Sequence, residues 1–196
     1  LMSNLIFLLK KEKTINLKLI VTGSHLEKKY GYTINEILAN KINPDHIIKV
    51  PLKTIDPIRN IESITNYMKN FSKFFHKQKP DLLILLGDRY EIFSIAVSAF
   101  IHKIPIVHLY GGESTLGVFD NFFRYSISKT AKYHLVSNKL YAKKLVSLGE
   151  SKKNIFTVGS LGCENIKLMN FEKPSNLEKK FKFKLNNFFK GKSKFI

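Results

Sequence analysis

An α/β fold built on a parallel sheet is what this sequence predicts, on three observations. The apolar pattern changes period along the chain, from short near-continuous runs to steps of three and four residues. The two kinds of segment alternate, as strands and helical crossovers do in a parallel sheet with helices on both faces. Polar clusters fall just past the ends of the short runs, where ligands bind in open α/β sheets. With 196 residues the chain is long enough for one domain with a real core, and short for two.

The elements follow in order. Leu1 to Lys11 is a helical pattern, although a doubly wound domain usually opens with a strand. LKLIVTG (17–23) is the first strand. Pro57 to Gln78 is a helix, with Ile58, Ile61, Ile64, Tyr67, Met68, Phe71, Phe74 and Phe75 at three- and four-residue steps. LLILLG (82–87) is the next strand, and the apolar, Ala-containing stretch Tyr90 to Lys103 the next helix. IPIVHLY (104–110), YHLVSN (133–138) and IFTVGS (155–160) are the remaining strands; such unbroken apolarity is what burial on both faces demands. Helices over Asn121 to Lys132 and Lys139 to Leu148 lie between them, the second stopped by Gly149 as a C′ glycine. There is no internal repeat. From Ser175 the chain turns Lys/Phe-rich, alternates only over 180–184, and reads as a linker or domain edge ahead of a membrane toe-hold.

Composition narrows the class. Hydrophobic residues make 44% and charged residues 24% of the chain, the balance of a soluble globular protein. No apolar stretch approaches the roughly 20 residues that span a bilayer. The opening LMSNLIFLLKKEK has its apolar part before its basic part, the reverse of an export signal. The single Cys163 excludes an intramolecular disulfide and a multi-Cys metal site; a buried free thiol in a reducing cytoplasm is expected. The net charge of +18 raises the question of nucleic acid, but only Arg59, Arg89 and Arg124 are arginines. Nucleic-acid readers favour arginine forks. The spread of lysines reads instead as a solvated surface that favours an anionic substrate, with no nucleic-acid or membrane partner.

Five polar clusters mark the strand ends: Thr22-Gly23-Ser24-His25, Gly87-Asp88-Arg89, His108 to Thr115, Ser137-Asn138 and Gly159-Ser160. In GDRYE, Asp88 has a plain alternative role as a helix N-cap, with Arg89 and Glu91 on the surface of the first turn. In HLYGGEST, Gly111 and Gly112 make a loop able to fold around a ligand, with Glu113 on it and Ser114 next. His108 beneath is equally readable as a core histidine. In GVFDNFFRYSISK, Asp120 is a possible cap and an i,i+4 partner of Arg124, while Gly117 permits a mobile loop. Taken together, Asp88, Glu113 and Asp120 follow adjacent strand ends and can converge on one cleft. Converging carboxylates push their pKa values apart, which yields one proton donor and one base. That suits proton abstraction beside a leaving group, or acid–base work on a sugar. P-loop, GxGxxG, HExxH and GxSxG patterns are absent from the sequence.

GDRYE, IPIVHLYGGEST-x-G-x-x-D-x-x-x-R, LVSN, LGE and VGSLGCENI, with VTGSHLEKKYG (21–31), resemble the UDP-N-acetylglucosamine 2-epimerases, more closely the hydrolysing branch that opens sialic and related nonulosonic acid synthesis. The resemblance covers nearly all of residues 15–170. It implies the first Rossmann-like half of a two-domain GT-B fold, over residues 1–171, then a linker and the start of a second domain over 172–196. It also implies elimination of UDP from UDP-GlcNAc through 2-acetamidoglucal, then hydration to N-acetylmannosamine, without cofactor or metal. By motif, Asp88, Glu113 and Asp120 are the acid–base carboxylates, in an order left open. Arg89, His108, Gly111, Gly112, Ser114 and Arg124 are the residues around the sugar or diphosphate. A UDP-sugar substrate and a homo-oligomer of the full-length protein are expected.

The departures point to alternatives. Tyr110 and Tyr125 stand where the family often has histidine, and Asn121 where it is often acidic. These favour a different sugar, such as a UDP-diacetamido-trideoxyhexose, or a sugar-nucleotide-binding module without catalysis. The resemblance further implies a G-T-R-like strand ahead of Leu1 and a second half after Ile196, with KSKFI as its opening strand. This segment alone is therefore expected to be inactive.

Overall fold

The computed structural model describes residues 2–51, 56–115, 119–168 and 174–182. The chain divides into two units, Leu1–Leu161 and Gly162–Ile196. In the first, α1 (Ser3–Lys11) precedes β1 (Ile20–Thr22), α2 (Ile34–Ala39), β2 (His46–Ile48) and α3 (Pro57–Gln78). Then come β3 (Leu83–Leu86), α4 (Tyr90–Ile101), β4 (Ile106–Leu109), α5 (Asp120–Thr130), β5 (Tyr133–Val136), α6 (Lys139–Ser147) and β6 (Ile155–Thr157). α7 (Leu161–Leu168) begins at the boundary, and α8 (Pro174–Phe181) lies in the second unit. The expected KSKFI strand falls outside the described residues, as do residues 183 and 184 of the alternating 180–184 stretch.

All strand pairs among the described residues are parallel. β1 pairs with β2, and β3, β4, β5 and β6 form a sheet in that order. Parallel pairing sends the carboxyl ends of β3 to β6 to one rim, so the clusters at Gly87, His108–Thr115, Ser137 and Gly159 share it. Each residue of β4 is buried, which means that both faces of that strand are covered.

α3 has the expected bounds because its signals agree. Asp56 caps it by accepting from the Ile58 N–H (3.0 Å), and Pro57 fills the first turn, where its missing N–H costs nothing. Its buried face of Tyr67, Phe71 and Phe75 joins Leu85, Ile95, Ile106 and Ile127 in one core, against which Ile20 of β1 and Ile48 of β2 also pack. That core therefore serves both sheets. α6 ends as Gly149 predicts: the Gly149 N–H donates to the Val146 carbonyl (2.9 Å) and the Glu150 N–H to that of Leu145 (3.0 Å), with Gly149 at φ +90°.

Three expectations need correction. β2 and α2 were not foreseen; both are short, and Ile47 in the middle of β2 is exposed. Cys163 is exposed rather than buried, since it lies in the first turn of α7 outside the core clusters. The α4 helix has Arg89, not Asp88, at its N-cap, with no side-chain cap. No helix among the described residues is long and apolar enough to cross a membrane.

Candidate active site

The rim is organised by one arginine. Arg124 sits one turn into α5 and is 8% exposed. Its Nη2 donates to Asp88 Oδ2, the ion pair that takes Asp88 away from helix capping. Its Nη1 donates to the Glu113 carbonyl and to Asn121 Oδ1, each at 3.0 Å. One planar fork thus ties the end of β3 to the loop after β4, where a lysine would offer a single point of contact. The anticipated Asp120–Arg124 pairing gives way to these three contacts.

Asn121 completes the tie. Its Oδ1 accepts from the Thr115 N–H (3.1 Å) while its Nδ2 donates to the Thr115 carbonyl (2.5 Å). Only an amide has both a donor and an acceptor for this exchange; a carboxylate would leave the carbonyl without a partner. Glu113 is fixed at both levels, because Ser137 Oγ at the end of β5 donates to its Oε1 (2.9 Å). The neighbouring Asn138 caps α6 by accepting from the Leu140 and Tyr141 N–H groups. Asp120 is half-buried in the first turn of α5, with Phe119 rather than itself at the N-cap. Arg124 thereby holds Asp88 by its carboxylate and Glu113 by its backbone carbonyl, while Asp120 opens the helix that carries Arg124. Ser114 is exposed, and Gly117 lies outside the described residues.

His108 lies beneath this floor with no exposed surface. Its Nε2 is 2.9 Å from the Gly87 carbonyl, which can only accept, so Nε2 carries the hydrogen. Its Nδ1 then accepts from Ser128 Oγ at 3.0 Å. The ring therefore props up the residue before Asp88 and, through Ser128, the floor of α5. Burial lowers its pKa to about 4, against the upward pull of the Gly87 hydrogen bond. A histidine with an ordinary pKa of 6.5 in the unfolded chain takes up its proton first as pH falls. Its contribution to stability is thus complete above pH 6.5, is lost as pH falls to about 4, and is constant below. At ~1.4 kcal/mol per pKa unit this loss is about 3 kcal/mol. Urea unfolding of wild type and His108→Gln at neutral and acid pH should show the steeper acid loss in the wild type; equal slopes would contradict it.

The glycine pair is dictated by close packing. A Cβ on Gly111 would lie 3.0 Å from both His108 Nδ1 and Ser128 Oγ. On Gly112, at φ +75°, it would lie 2.6 Å from the Tyr141 carbonyl oxygen and 2.9 Å from Leu145 Cγ. Gly112→Ala is therefore expected to lower the unfolding free energy by about 2–4 kcal/mol, since strain and overlap add. An unchanged melting temperature would mean that the loop is not seated on α6.

Glu91 corrects the reading of GDRYE most sharply. It is 3% exposed, not a surface residue of the first turn. Its Oε1 is 2.8 Å from Arg89 Nε, and its Oε2 is buried with no hydrogen-bond partner among the described residues. Burial raises its pKa, Arg89 pulls it back, and the charge of nearby Asp120 raises it further. Tyr110 departs from ordinary backbone: it takes φ +64° at the end of β4, with its hydroxyl 3.4 Å from Ser160 Oγ. Glu91, Ser137 and Asn121 are the residues missed as parts of the site. A rim position for Ser137 was visible in sequence, whereas the inward course of Glu91 was not.

A family model described as UDP-N-acetylglucosamine 2-epimerase matches residues 8–191. The chain is 40% identical over 186 residues to a GDP/UDP-N,N'-diacetylbacillosamine 2-epimerase (hydrolyzing) of Campylobacter jejuni, covering 95% of this chain and 48% of that protein. It is 37% identical over 185 residues to the polysialic acid biosynthesis protein P7 of Escherichia coli, covering 94% and 47%. The chain thus spans about half the length of these relatives. Among solved structures it resembles the UDP-GlcNAc 2-epimerase of Neisseria meningitidis bound to UDP-GlcNAc, with TM-score 0.75, 21% identity, and coverage of 95% of this chain and 51% of that one. At that identity the likeness establishes a shared fold, that of half a GT-B enzyme.

Proposed function

This chain belongs to the UDP-N-acetylglucosamine 2-epimerase family, and on that premise we propose that the protein is a hydrolysing epimerase whose first half is this segment. The observation that carries the reading is the buried Arg124 fork, which holds the Asp88 carboxylate and the Glu113 backbone on one rim, in the helix that Asp120 opens. In the proposed reaction one carboxylate takes the C2 proton of UDP-GlcNAc and the C1–oxygen bond breaks, releasing UDP and leaving 2-acetamidoglucal. A second carboxylate activates water, whose hydroxyl adds to C1 while a proton returns to C2 from the opposite face. The products are N-acetylmannosamine and UDP. His108, having no exposed surface, would shape the cleft from below. Arg89 and Ser114 would contact the sugar or diphosphate. A homo-oligomer and a cytoplasmic setting belong to the same proposal.

A second substrate is favoured by a specific observation. Two relatives, from Campylobacter jejuni and Legionella pneumophila, carry UDP-N,N'-diacetylbacillosamine in their descriptions and are 40% and 36% identical to this chain. The full-length protein should be offered both sugar nucleotides, with UDP release followed and the sugar product identified. A higher kcat/KM for the diacetamido sugar would select the second substrate. A product that retains UDP would contradict hydrolysis.

A further inference from the structure

We infer that Glu91 is a positioning residue: it sets the Arg89 guanidinium against Tyr30 so that Arg89 grips the diphosphate of the sugar nucleotide. The inference rests on the proposed sugar-nucleotide cleft and assigns a role that the carboxylate triad does not cover.

Elimination leads to Arg89. The chain has three arginines. Arg124 is spent on tying loops together, and Arg59 lies 3.7 Å from Asp56 in the first turn of α3. Arg89 alone among them stands at a strand-end cluster with 38% of its side chain exposed. Its Nε is engaged by Glu91 at 2.8 Å, and its guanidinium carbon lies 5.3 Å from the centre of the Tyr30 ring. An ion pair through Nε together with an aromatic face fixes the plane of the fork, and a pre-set fork loses less freedom on meeting a phosphate.

The cost of Glu91 points the same way. A carboxylate that is 3% exposed, with one oxygen buried and no hydrogen-bond partner for it among the described residues, is destabilising compared with an amide or apolar residue of similar size. The fold even closes over it. Gly23, at φ +69°, has no side chain, and a Cβ there would lie 3.5 Å from Glu91 Cγ. The loop after β1, which carries Tyr30, is thus packed onto the carboxylate that holds Arg89. A position that served packing alone would gain stability by losing the charge.

The test uses the full-length protein, with UDP as the probe for diphosphate binding and UDP-GlcNAc for turnover. Glu91→Gln should raise KM and the UDP dissociation constant together by about tenfold, leave kcat within about threefold, and keep or raise the melting temperature. Arg89→Ala should weaken UDP at least as much. The double variant should be no weaker than Arg89→Ala, because Glu91 acts through Arg89. Unchanged UDP affinity in Glu91→Gln, or losses that multiply in the double variant, would overturn the inference. A wild type that binds UDP without turning over either sugar nucleotide would sink the epimerase reading, while the UDP arm would still decide the role of Glu91. Failure of the wild type to bind UDP at all would overturn both.

Discussion

Asp88→Asn in the full-length protein should lower turnover at least about a hundredfold while leaving the fold intact, the usual scale for an acid–base group. The amide keeps the size of the carboxylate and can still accept from Arg124, so the connection to α5 survives in weakened form. What it loses is the capacity to take a proton. Kinetics of UDP release, with a melting curve as the control for folding, measure both. Near-normal turnover would reduce Asp88 to a tether for Arg124.

Arg124→Ala should do two things at once. Arg124 and Asp88 are partly enclosed, with side chains 9% and 25% exposed. Removing the cation leaves a carboxylate without its partner, at a cost of about 3 kcal/mol. It also frees the Glu113 carbonyl, so the loop between β4 and α5 loses one of its anchors. A displacement near 1 Å of a positioned group costs about a hundredfold in rate, and turnover should fall by at least that. Arg124→Lys should recover part of the stability and little of the rate, because the ammonium cannot span two loops. Chemical denaturation and initial rates on the same preparations check this. An Arg124→Ala variant as stable and as fast as wild type would remove the arginine from the centre of the site.

Much of this architecture was readable in the chain. Alternating periods announced the parallel sheet, and the helix begun at Pro57 and the one stopped by Gly149 end where expected. The polar clusters were readable as a rim because parallel strands end together. Other features depend on contacts between residues distant in sequence. Glu91 looks like an ordinary first-turn carboxylate until the β1 loop, through Gly23, 68 positions earlier, is seen to pack against it. Asn121 looks like a loss of acidity until Thr115 is seen to use both its amide oxygen and its amide nitrogen. His108 was balanced between core and site, and its two ring contacts, to Gly87 and Ser128, give it the geometry of a support. β2 has three residues and an exposed centre, too little pattern to recognise.

The most direct measurement is to run the full-length protein on UDP-GlcNAc in D2O and examine the free sugar by NMR and mass spectrometry. If the carboxylate cleft removes the C2 proton and water then adds to the glucal, N-acetylmannosamine should appear with one deuterium at C2, in step with UDP. A free sugar that keeps its original hydrogen at C2 would contradict elimination, and with it the role given to Asp88, Glu113 and Asp120.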